Sequence, residues 1–300
     1  MRVTVPSFAK LNLDLRVLSK RPDGYHDLRT VFQTISLKDS LRIDFDPAKR
    51  AQIELDSSVE IADNLVVRAA KLVLEHLKVK AHVRFALNKQ IPMGAGLGGG
   101  SSNAAATLLA LPALAGKPAP LTELARLAET LGSDVPFFLQ GGTAVGLGRG
   151  TELYPLPDLP SHHALVVSTG IHVSTAEAYK ALGRGVIAHE SPILKEFQAI
   201  AWSLQSATLE QLPLKNEFEA AVFQLHPELA AVVRKLRKLG AKPAMMTGSG
   251  SAVFGLFENP TEARHAAAAF STGHRSYVVR FINRRQYRRS WQRALGTAVF

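Results

Sequence analysis

The sequence predicts an α+β protein built from two lobes. Strand-like and helix-like segments follow one another without the regular βαβ rhythm of a parallel sheet. The chain has 300 residues, 46% of them apolar, which suits roughly two domains with a sizeable core. A proline-punctuated stretch at residues 155–160 (PLPDLP) indicates a seam. We therefore expect one domain over residues 1–157 and a second over residues 158–300.

Short apolar runs with period-two alternation predict the strands. Residues 20–24 (KRPDG) separate the first two groups of strands and have the Pro and Asp-Gly pairs typical of a turn. The strands expected along the chain are 2–5, 11–17, 30–37, 41–45, 52–55, 83–87, 135–139, 143–147, 164–168, 244–246, 252–257 and 277–281.

Apolar residues that recur on one helical face predict the helices. The first, at residues 63–77, has Asp63 or Asn64 in position to cap its amino end. Ser101 or Ser102 is the expected cap of the second. The expected helices are 63–77, 102–114, 121–131, 175–182, 227–239 and 261–270.

The composition limits the chemistry. The formal net charge is +11, which suits binding to nucleic acid, a membrane surface or a phosphorylated small molecule. Six of the positive charges are arginines within residues 280–293, where no acidic residue occurs. The chain has no cysteine, which excludes disulfides, cysteine-ligated zinc, iron–sulfur clusters and a thiol nucleophile.

The amino-terminal residues do not resemble a targeting segment. Lys10, Asn12 and Asp14 interrupt the apolar stretch that a signal peptide requires. No apolar run approaches the ~18 residues of a membrane span. We therefore expect a cytoplasmic protein with no membrane partner.

A glycine-rich loop carries the clearest chemical signal. Five of the seven residues at 94–100 are glycine, within the segment 91–103 (IPMGAGLGGGSSN). Glycines let successive backbone N–H groups turn toward a ligand, and the amino end of the following helix adds partial positive charge. The loop and the helix start together predict an anion site, for which phosphate is the usual ligand.

Three general nucleotide motifs fit this loop poorly. Walker A requires lysine after its second glycine, where Gly100 stands. The dinucleotide pattern matches at Gly94, Gly96 and Gly99, but the strand and acidic residue that should follow the helix are missing. The protein-kinase sequences H-R-D and D-F-G do not occur.

The loop instead resembles the nucleotide loop of the GHMP kinases, P-x-G-x-G-L-G-x-G-S-S. Four other segments resemble the same family, in the family's order: 6–13 (PSFAKLNL), 21–28 (RPDGYHDL), 131–138 (LGSDVPFF) and 247–254 (TGSGSAVF). The sequence R-P-D-G-Y-H is typical of the members whose acceptor is a CDP-linked methylerythritol.

This resemblance implies a two-lobed GHMP kinase fold with the active site in the cleft between the lobes. It also implies that ATP, with Mg²⁺, phosphorylates the 2-hydroxyl of the methylerythritol part of that acceptor, a step toward isoprenoid precursors. The protein ligands of the metal are not assigned, because Asn103 stands where many members carry an aspartate that could bind it. We expect a monomer or a weak homodimer.

The resemblance also implies roles for individual residues. Asp134 takes the position of the catalytic base and Lys10 that of its partner, which we predict to stabilise the transferred phosphoryl group and orient Asp134. The residues expected to hold ATP are Pro92, Met93, Gly94, Ala95, Gly96, Leu97, Gly98, Gly99, Gly100, Ser101 and Ser102.

The acceptor is expected to contact a second group of residues. Tyr25 is expected to stack on the cytosine, and His26 to form a hydrogen bond with the edge of that base. Tyr179 is expected to be the second aromatic ring that stacks on the cytosine. If the alternation is regular, Asn12 and Asp14 lie on the same strand face as Lys10. Of the two, Asn12 is the better candidate for contact with a substrate hydroxyl or phosphate. The remaining substrate residues are Gly248 and Gly250, which permit close approach at the diphosphate.

Two alternatives remain. The chain could be a GHMP kinase for another acceptor, such as homoserine or mevalonate, against which R-P-D-G-Y-H argues. It could also bind nucleic acid through residues 280–293, with Tyr287 and Trp291 stacking on bases. No zinc, helix-turn-helix or RNA-recognition sequence accompanies these arginines, so nucleic acid is the weaker partner and the segment is expected to be a solvated surface.

Overall fold

Two β-sheets form the framework of the protein. A computed structural model describes residues 1–183, 191–204, 206, 208–270 and 273–296. Within these residues the strands are β1 (Arg2–Lys20), β2 (His26–Pro47), β3 (Gln52–Ser57), β4 (Ala81–Asn88), β5 (Thr143–Gly148), β6 (Glu152–Pro155), β7 (His163–Ser168), β8 (Ala244–Met246), β9 (Val253–Phe257) and β10 (Arg275–Arg280).

The helices cover these sheets. In the described part of the chain they are α1 (Leu65–His76), α2 (Gly99–Leu114), α3 (Leu121–Leu131), α4 (Thr175–Leu182), α5 (Ser191–Ser203), α6 (Phe218–Leu225), α7 (Pro227–Lys238), α8 (Pro260–Ala268) and α9 (Arg284–Leu295). Short 3₁₀ helices occupy Pro136–Leu139 and Leu209–Gln211. None of the described helices is long and apolar enough to cross a membrane.

The first sheet is organised around one long antiparallel pair. It has the order β3-β4-β2-β5-β6, with β1 paired to β2. The predicted strands at 2–5 and 11–17 are parts of β1, and those at 30–37 and 41–45 are parts of β2. The predicted turn joins the two, and Arg21 N–H donates to the Tyr25 carbonyl at 2.7 Å.

The second sheet is smaller and antiparallel, with the order β10-β7-β9-β8. Leu11 and Ile35 of the first sheet belong to one buried cluster with Val166 and Phe254 of the second. Apolar contact between the lobes therefore holds the two sheets together. The proposed domain boundary near residue 157 lies between β6 of the first sheet and β7 of the second.

Three local predictions were wrong or incomplete. Residues 135–139 were expected as a strand, but Pro136 begins a 3₁₀ helix, because proline lacks the N–H that a sheet ladder needs and suits a first helical turn. Helix α2 begins at Gly99 with Gly98 as its cap, so neither serine caps it. Helices α5, α6 and α9 were not predicted, whereas Asn64 caps α1 as expected.

Helix α9 corrects the expectation of a solvated basic terminus. Its arginines lie mainly outward, but Tyr287 and Trp291 are buried in the core of the first sheet. The Tyr287 hydroxyl donates to the carbonyl of Phe138. Asn283 and Gln286 form a reciprocal capping box that begins the helix. The helix therefore packs residues 284–295 onto the first sheet.

We predict that Trp291→Ala destabilises the protein by about 3–5 kcal/mol, because it opens a large cavity under α9. Trp291 is 0% exposed, whereas the chain's other tryptophan, Trp202, is 71% exposed. Trp202→Ala should change the free energy of unfolding by no more than about 0.5 kcal/mol. Denaturant unfolding of both variants measures this difference, and equal losses would show that α9 is not part of the core.

Candidate active site

A cleft of about 1020 Å³ lies between the two sheets. Strands β1 and β2, the glycine loop and the turn before α4 all contribute to its walls. The structure brings most of the sequence-predicted site residues to this cleft. Those that line it are Lys10, Asn12, Tyr25, His26, Gly94, Gly96, Ser101, Asp134, Tyr179, Gly248 and Gly250.

Lys10 and Asp134 meet in this cleft. The Lys10 ammonium lies 3.3 Å from Asp134 Oδ2, with 3% of the lysine side chain and 33% of the aspartate side chain exposed. The ammonium also donates to Asn12 Oδ1 at 2.6 Å. A cation held on a buried strand thus faces a carboxylate that a ligand can reach.

Local structure explains how Asp134 reaches the cleft. It lies in the turn between α3 and the 3₁₀ helix Pro136–Leu139. Phe137 and Phe138 of that short helix are buried in the core of the first sheet. Because these rings anchor the turn, the carboxylate that precedes them stays fixed relative to β1.

Asn12 is hydrogen-bonded to three other residues of the protein. Its amide donates to Thr30 Oγ1 at 2.7 Å, its Oδ1 accepts from Lys10, and its backbone N–H donates to Thr247 Oγ1 at 2.9 Å. These contacts make Asn12 a positioning residue for Lys10 and a link to the second lobe. Its contact with substrate stays a prediction.

Asp14 is turned away from this group. A β-bulge between Asn12 and Asp14 interrupts the regular alternation, so the expectation of a shared face was wrong. The buried carboxylate pairs with Arg16 at 2.9 Å and accepts from the Lys215 N–H at 2.8 Å. Burial raises the pKa of the Asp14 carboxyl, against the opposing effect of Arg16.

The glycine loop is fastened to both lobes through its backbone. The Leu97 carbonyl accepts from the Lys10 N–H at 3.0 Å, and the Ala95 carbonyl accepts from the Ala252 N–H at 3.2 Å. The side chains of Ala95 and Leu97 are buried. These two residues of the predicted ATP loop therefore anchor it, while the intervening Gly96 faces the cleft.

Gly96 has no room for a side chain. Its φ is +75°, and a Cβ there would overlap the carbonyl oxygen of Thr247. On the opposing loop, Gly248 has φ +59°, and a Cβ there would lie 3.1 Å from Gly96 Cα. The two loops thus touch backbone to backbone at the edge of the cleft.

The amino end of α2 suits an anion. The cap residue Gly98 makes no side-chain hydrogen bond to the helix, which leaves first-turn N–H groups available. Ser101 lines the cleft. The Ser102 hydroxyl is buried and has no hydrogen-bond partner among the described residues. By contrast, Pro92 and Met93 are not among the residues lining the cleft, and Met93 is exposed.

Asn103 does not face the cleft. Its amide donates to Asp39 Oδ2 at 3.0 Å, and its carbonyl oxygen accepts from the Lys89 ammonium at 3.1 Å. Lys89 and Asp39 form a buried ion pair. Asn103 therefore fixes the start of α2 against the strand that precedes the glycine loop.

Aromatic side chains form a second part of the cleft, which we call its aromatic end. The rings of His26 and Tyr179 stack with centroids 4.5 Å apart, and Phe218 packs edge-on against Tyr179 at 4.8 Å. Burial, with a smaller effect of the Asp134 charge, raises the pKa of Tyr179 to about 12. The Tyr179 hydroxyl therefore stays protonated at neutral pH.

Tyr25 stands apart from that stack, with half of its surface exposed. The guanidinium carbon of Arg149 lies 3.5 Å from the centroid of the Tyr25 ring. Sequence reasoning missed Arg149, and the only local signal was its place between two glycines in a turn. It missed Phe218 and His172 as well, because only the tertiary fold brings them to the cleft.

The charges around the cleft favour anionic ligands. Among the described residues that line it, Asp134 is the sole acid, whereas the cationic side chains are Lys10, Lys20, Arg149 and Lys180. Such an excess raises the local concentration of anions.

Comparison with known proteins identifies relatives over nearly the whole chain. The model of the GHMP kinases N terminal domain matches residues 64–142, and that of the GHMP kinases C terminal domain matches residues 193–275. The 4-diphosphocytidyl-2-C-methyl-D-erythritol kinase of Solibacter usitatus is 50% identical, covering 97% of this chain and 92% of its own. The kinase of the same name from Pelotomaculum thermopropionicum is 40% identical, with 95% and 100% covered.

Solved structures show the same fold. The crystal structure of 4-(cytidine 5'-diphospho)-2C-methyl-D-erythritol kinase gives a TM-score of 0.77 at 40% identity, covering 93% of this chain and 98% of that one. Homoserine kinase from Cytophaga hutchinsonii gives 0.70 at 19% identity, covering 94% and 97%, and shares the fold alone. The predicted two-lobed α+β fold and the resemblance are confirmed.

We predict that Gly96→Ala abolishes most activity, because the new methyl group must push the Thr247 loop away from the glycine loop. Gly116→Ala is the matched control, since Gly116 also has positive φ (+64°) but has nothing within 4 Å of the added Cβ. Both variants carry a backbone cost of roughly 1–2 kcal/mol. Turnover and denaturant unfolding should separate them, and equal activity in the two would mean that the loop contact is dispensable.

Proposed function

The chain belongs to the GHMP kinase family, and from this we propose that it transfers the γ-phosphoryl group of ATP to the 2-hydroxyl of 4-diphosphocytidyl-2-C-methyl-D-erythritol. This reaction is a step of the non-mevalonate route to isoprenoid precursors. The observation that carries the proposal is the Lys10–Asp134 pair, 3.3 Å apart, in a cation-lined cleft beside the glycine loop. Kinases named for this reaction are similar over nearly the whole chain.

The glycine loop and the start of α2 are proposed to hold the ATP phosphates. Gly94, Gly96 and Gly98 have positive φ values, a backbone shape in which successive N–H groups can converge on an anion. The uncapped first turn of α2 adds further N–H donors and partial positive charge. Gly96 and Ser101 line the cleft, so the phosphates would lie next to Lys10.

Asp134 and Lys10 are proposed to act on the reacting groups. The substrate hydroxyl oxygen forms a bond to the γ-phosphorus, the bond from that phosphorus to the bridging oxygen breaks, and ADP leaves. The hydroxyl proton passes to Asp134. Lys10 stabilises the negative charge on the transferred phosphoryl group and orients Asp134, while Asn12 fixes the Lys10 ammonium.

The residues present fit a magnesium ion bound mainly through ATP. No cluster of three or more His, Cys, Asp or Glu side chains with metal-binding geometry occurs among the described residues. The Ser102 hydroxyl is buried without a partner in that same part of the chain, and Ser101 lines the cleft. These serines would supply oxygen ligands, with phosphate oxygens and water completing the shell. The ion would neutralise charge on the phosphates.

The aromatic end of the cleft is proposed to hold the cytosine. Tyr25 offers a half-exposed ring, and His26 and Tyr179, which line the same cleft, form a stacked pair. A pyrimidine can stack on Tyr25 while His26 bonds its edge. Gly248 and Gly250, which line the same cleft, would let the second lobe approach the diphosphate.

The alternative that residues 280–293 bind nucleic acid required Tyr287 and Trp291 to stack on bases. Tyr287 and Trp291 are buried in the core of the first sheet, so neither ring is available to stack on a base. The arginines of α9 are also absent from the described residues that line the cleft. Nothing else in the described surface favours nucleic acid over small anionic ligands.

We predict ADP release from ATP only when the CDP-linked methylerythritol is added, and not with homoserine or mevalonate. Asp134→Asn should lower kcat by about 10²–10⁴-fold, because proton removal is lost, and Lys10→Ala by about 10²–10³-fold. Coupled assays of ADP release and of ATP binding measure both.

Asp46→Asn is the control, because it removes a carboxylate from an exposed ion pair with Arg84 (2.9 Å) outside the cleft. It should keep normal turnover. Near-normal turnover in Asp134→Asn would overturn the role of Asp134 as a base, and turnover with homoserine would overturn the acceptor.

We predict that Tyr25→Ala raises the KM for the acceptor by about 5–150-fold, since stacking of one base contributes on the order of 1–3 kcal/mol. The KM for ATP should stay within about twofold. Tyr154→Ala, which removes an exposed tyrosine of β6 outside the cleft, should change neither. Steady-state kinetics with each substrate varied in turn measures the split, and equal effects on both KM values would exclude a specific contact with cytosine.

A further inference from the structure

Arg149 reaches the cleft from the turn between β5 and β6. The neighbouring Gly148 and Gly150 have φ values of +63° and +88°, so the backbone of this turn takes a shape that few other residues adopt. Arg149 and Gly150 both line the cleft, on the same wall as Tyr25. The turn therefore places a long cationic side chain at the aromatic end of the site.

The guanidinium of Arg149 lies close enough to Tyr25 to make a cation–π contact, with 3.5 Å between its central carbon and the ring centroid. An aromatic ring has two faces, and this contact uses one of them. Half of the Tyr25 surface is exposed, which leaves room for a base to stack on the ring. The contact also holds in place a ring that is otherwise half exposed.

The hydrogen-bonding groups of Arg149 are not used up by the protein. Its Nε is buried and has no hydrogen-bond partner among the described residues. Within the same residues no carboxylate forms an ion pair with its guanidinium, and the nearby Asp23 is paired with Arg21 at 3.2 Å. Lys10, in contrast, is already paired with Asp134.

A guanidinium with free N–H groups suits phosphate oxygens, which it can bind with two parallel hydrogen bonds. A nucleoside diphosphate presents such oxygens a short distance from its base. A side chain that stacks on Tyr25 through its plane keeps its N–H groups pointing outward around the edge of that plane. Stacking and phosphate binding are therefore compatible for Arg149.

We propose that Arg149 is a substrate-binding residue, which stacks on Tyr25 and donates to the diphosphate of the cytidine-linked acceptor. This inference rests on the proposed function and adds a residue and a role to it. Arg149 thereby makes the site selective for a phosphorylated nucleoside over the free nucleoside.

Isothermal titration of cytidine, CMP and CDP tests this role. The titrations use the full chain saturated with a non-hydrolysable ATP analogue, so that the probes cannot enter the ATP site. Arg149→Ala should weaken binding of CDP by at least about tenfold and binding of cytidine by less than about threefold, because only phosphate loses its partner. Arg149→Lys keeps the charge without the planar donors and should recover part of the CDP affinity.

Lys235→Ala is the matched control. It removes one positive charge and one cation–π contact, with Phe270 at 4.5 Å, outside the cleft, and should leave CDP affinity unchanged. Steady-state kinetics should show a raised acceptor KM in Arg149→Ala with kcat within about threefold of the parent chain.

Equal weakening of cytidine, CMP and CDP would overturn the phosphate contact and leave Arg149 as a support for Tyr25. Unchanged CDP affinity, or tighter binding of cytidine, would also overturn it, the latter because Arg149 would then compete with the base for the ring. Failure of the proposed function has a different signature, since the parent chain itself would then neither bind CDP nor release ADP with the acceptor.

Discussion

The site depends on the close approach of two backbone segments, the glycine loop and the loop at residues 247–250. A Cβ at Gly96 would overlap the carbonyl oxygen of Thr247, and a Cβ at Gly248 would lie tightly against the backbone of Gly96. Two further contacts hold this junction, from Ala252 N–H to the Ala95 carbonyl and from Asn12 N–H to Thr247 Oγ1. Because one loop belongs to the first lobe and the other to the second, the junction fixes the width of the cleft beside the glycine loop.

The same junction also holds Lys10 in place. Hydrogen bonds to the glycine loop and to Asn12 position it, in a cleft where Asp134 is the sole acid among the described lining residues. Lys10 N–H donates to the glycine loop through the Leu97 carbonyl, and its ammonium donates to Asn12. One strand thus positions the lysine, the glycine loop and the link to the second lobe. Because these groups are closely packed, a displacement of any one of them shifts the other two.

The cleft has two chemically different parts. The part beside the glycine loop offers backbone N–H groups, a helix start and Lys10, whereas the other part offers aromatic rings and Arg149. Burial raises the pKa of Tyr179 and keeps its hydroxyl neutral, so this side chain adds no negative charge to the cleft. This arrangement suits an acceptor whose base, diphosphate and sugar alcohol extend along the cleft.

The sequence by itself determined the fold class and the family, and it pointed to most of the residues that we propose for the site. Glycine spacing, the turn at residues 20–24 and helix periodicity are local signals, and the helix at Leu121–Leu131 was predicted with its observed bounds. Five ordered segments also located Lys10, Tyr25 and Asp134. These features depend on backbone shape and side-chain chemistry within a few residues, which the chain order preserves.

Tertiary structure decided what local pattern does not encode. The bulge after Asn12 turned Asp14 into a buried partner of Arg16, and Tyr287 and Trp291 packed a basic terminus onto the first sheet. Arg149 became part of the site only because a turn far along the chain faces Tyr25. Such contacts join residues that are distant in sequence, and their energy comes from burial and pairing in the folded chain rather than from local conformation.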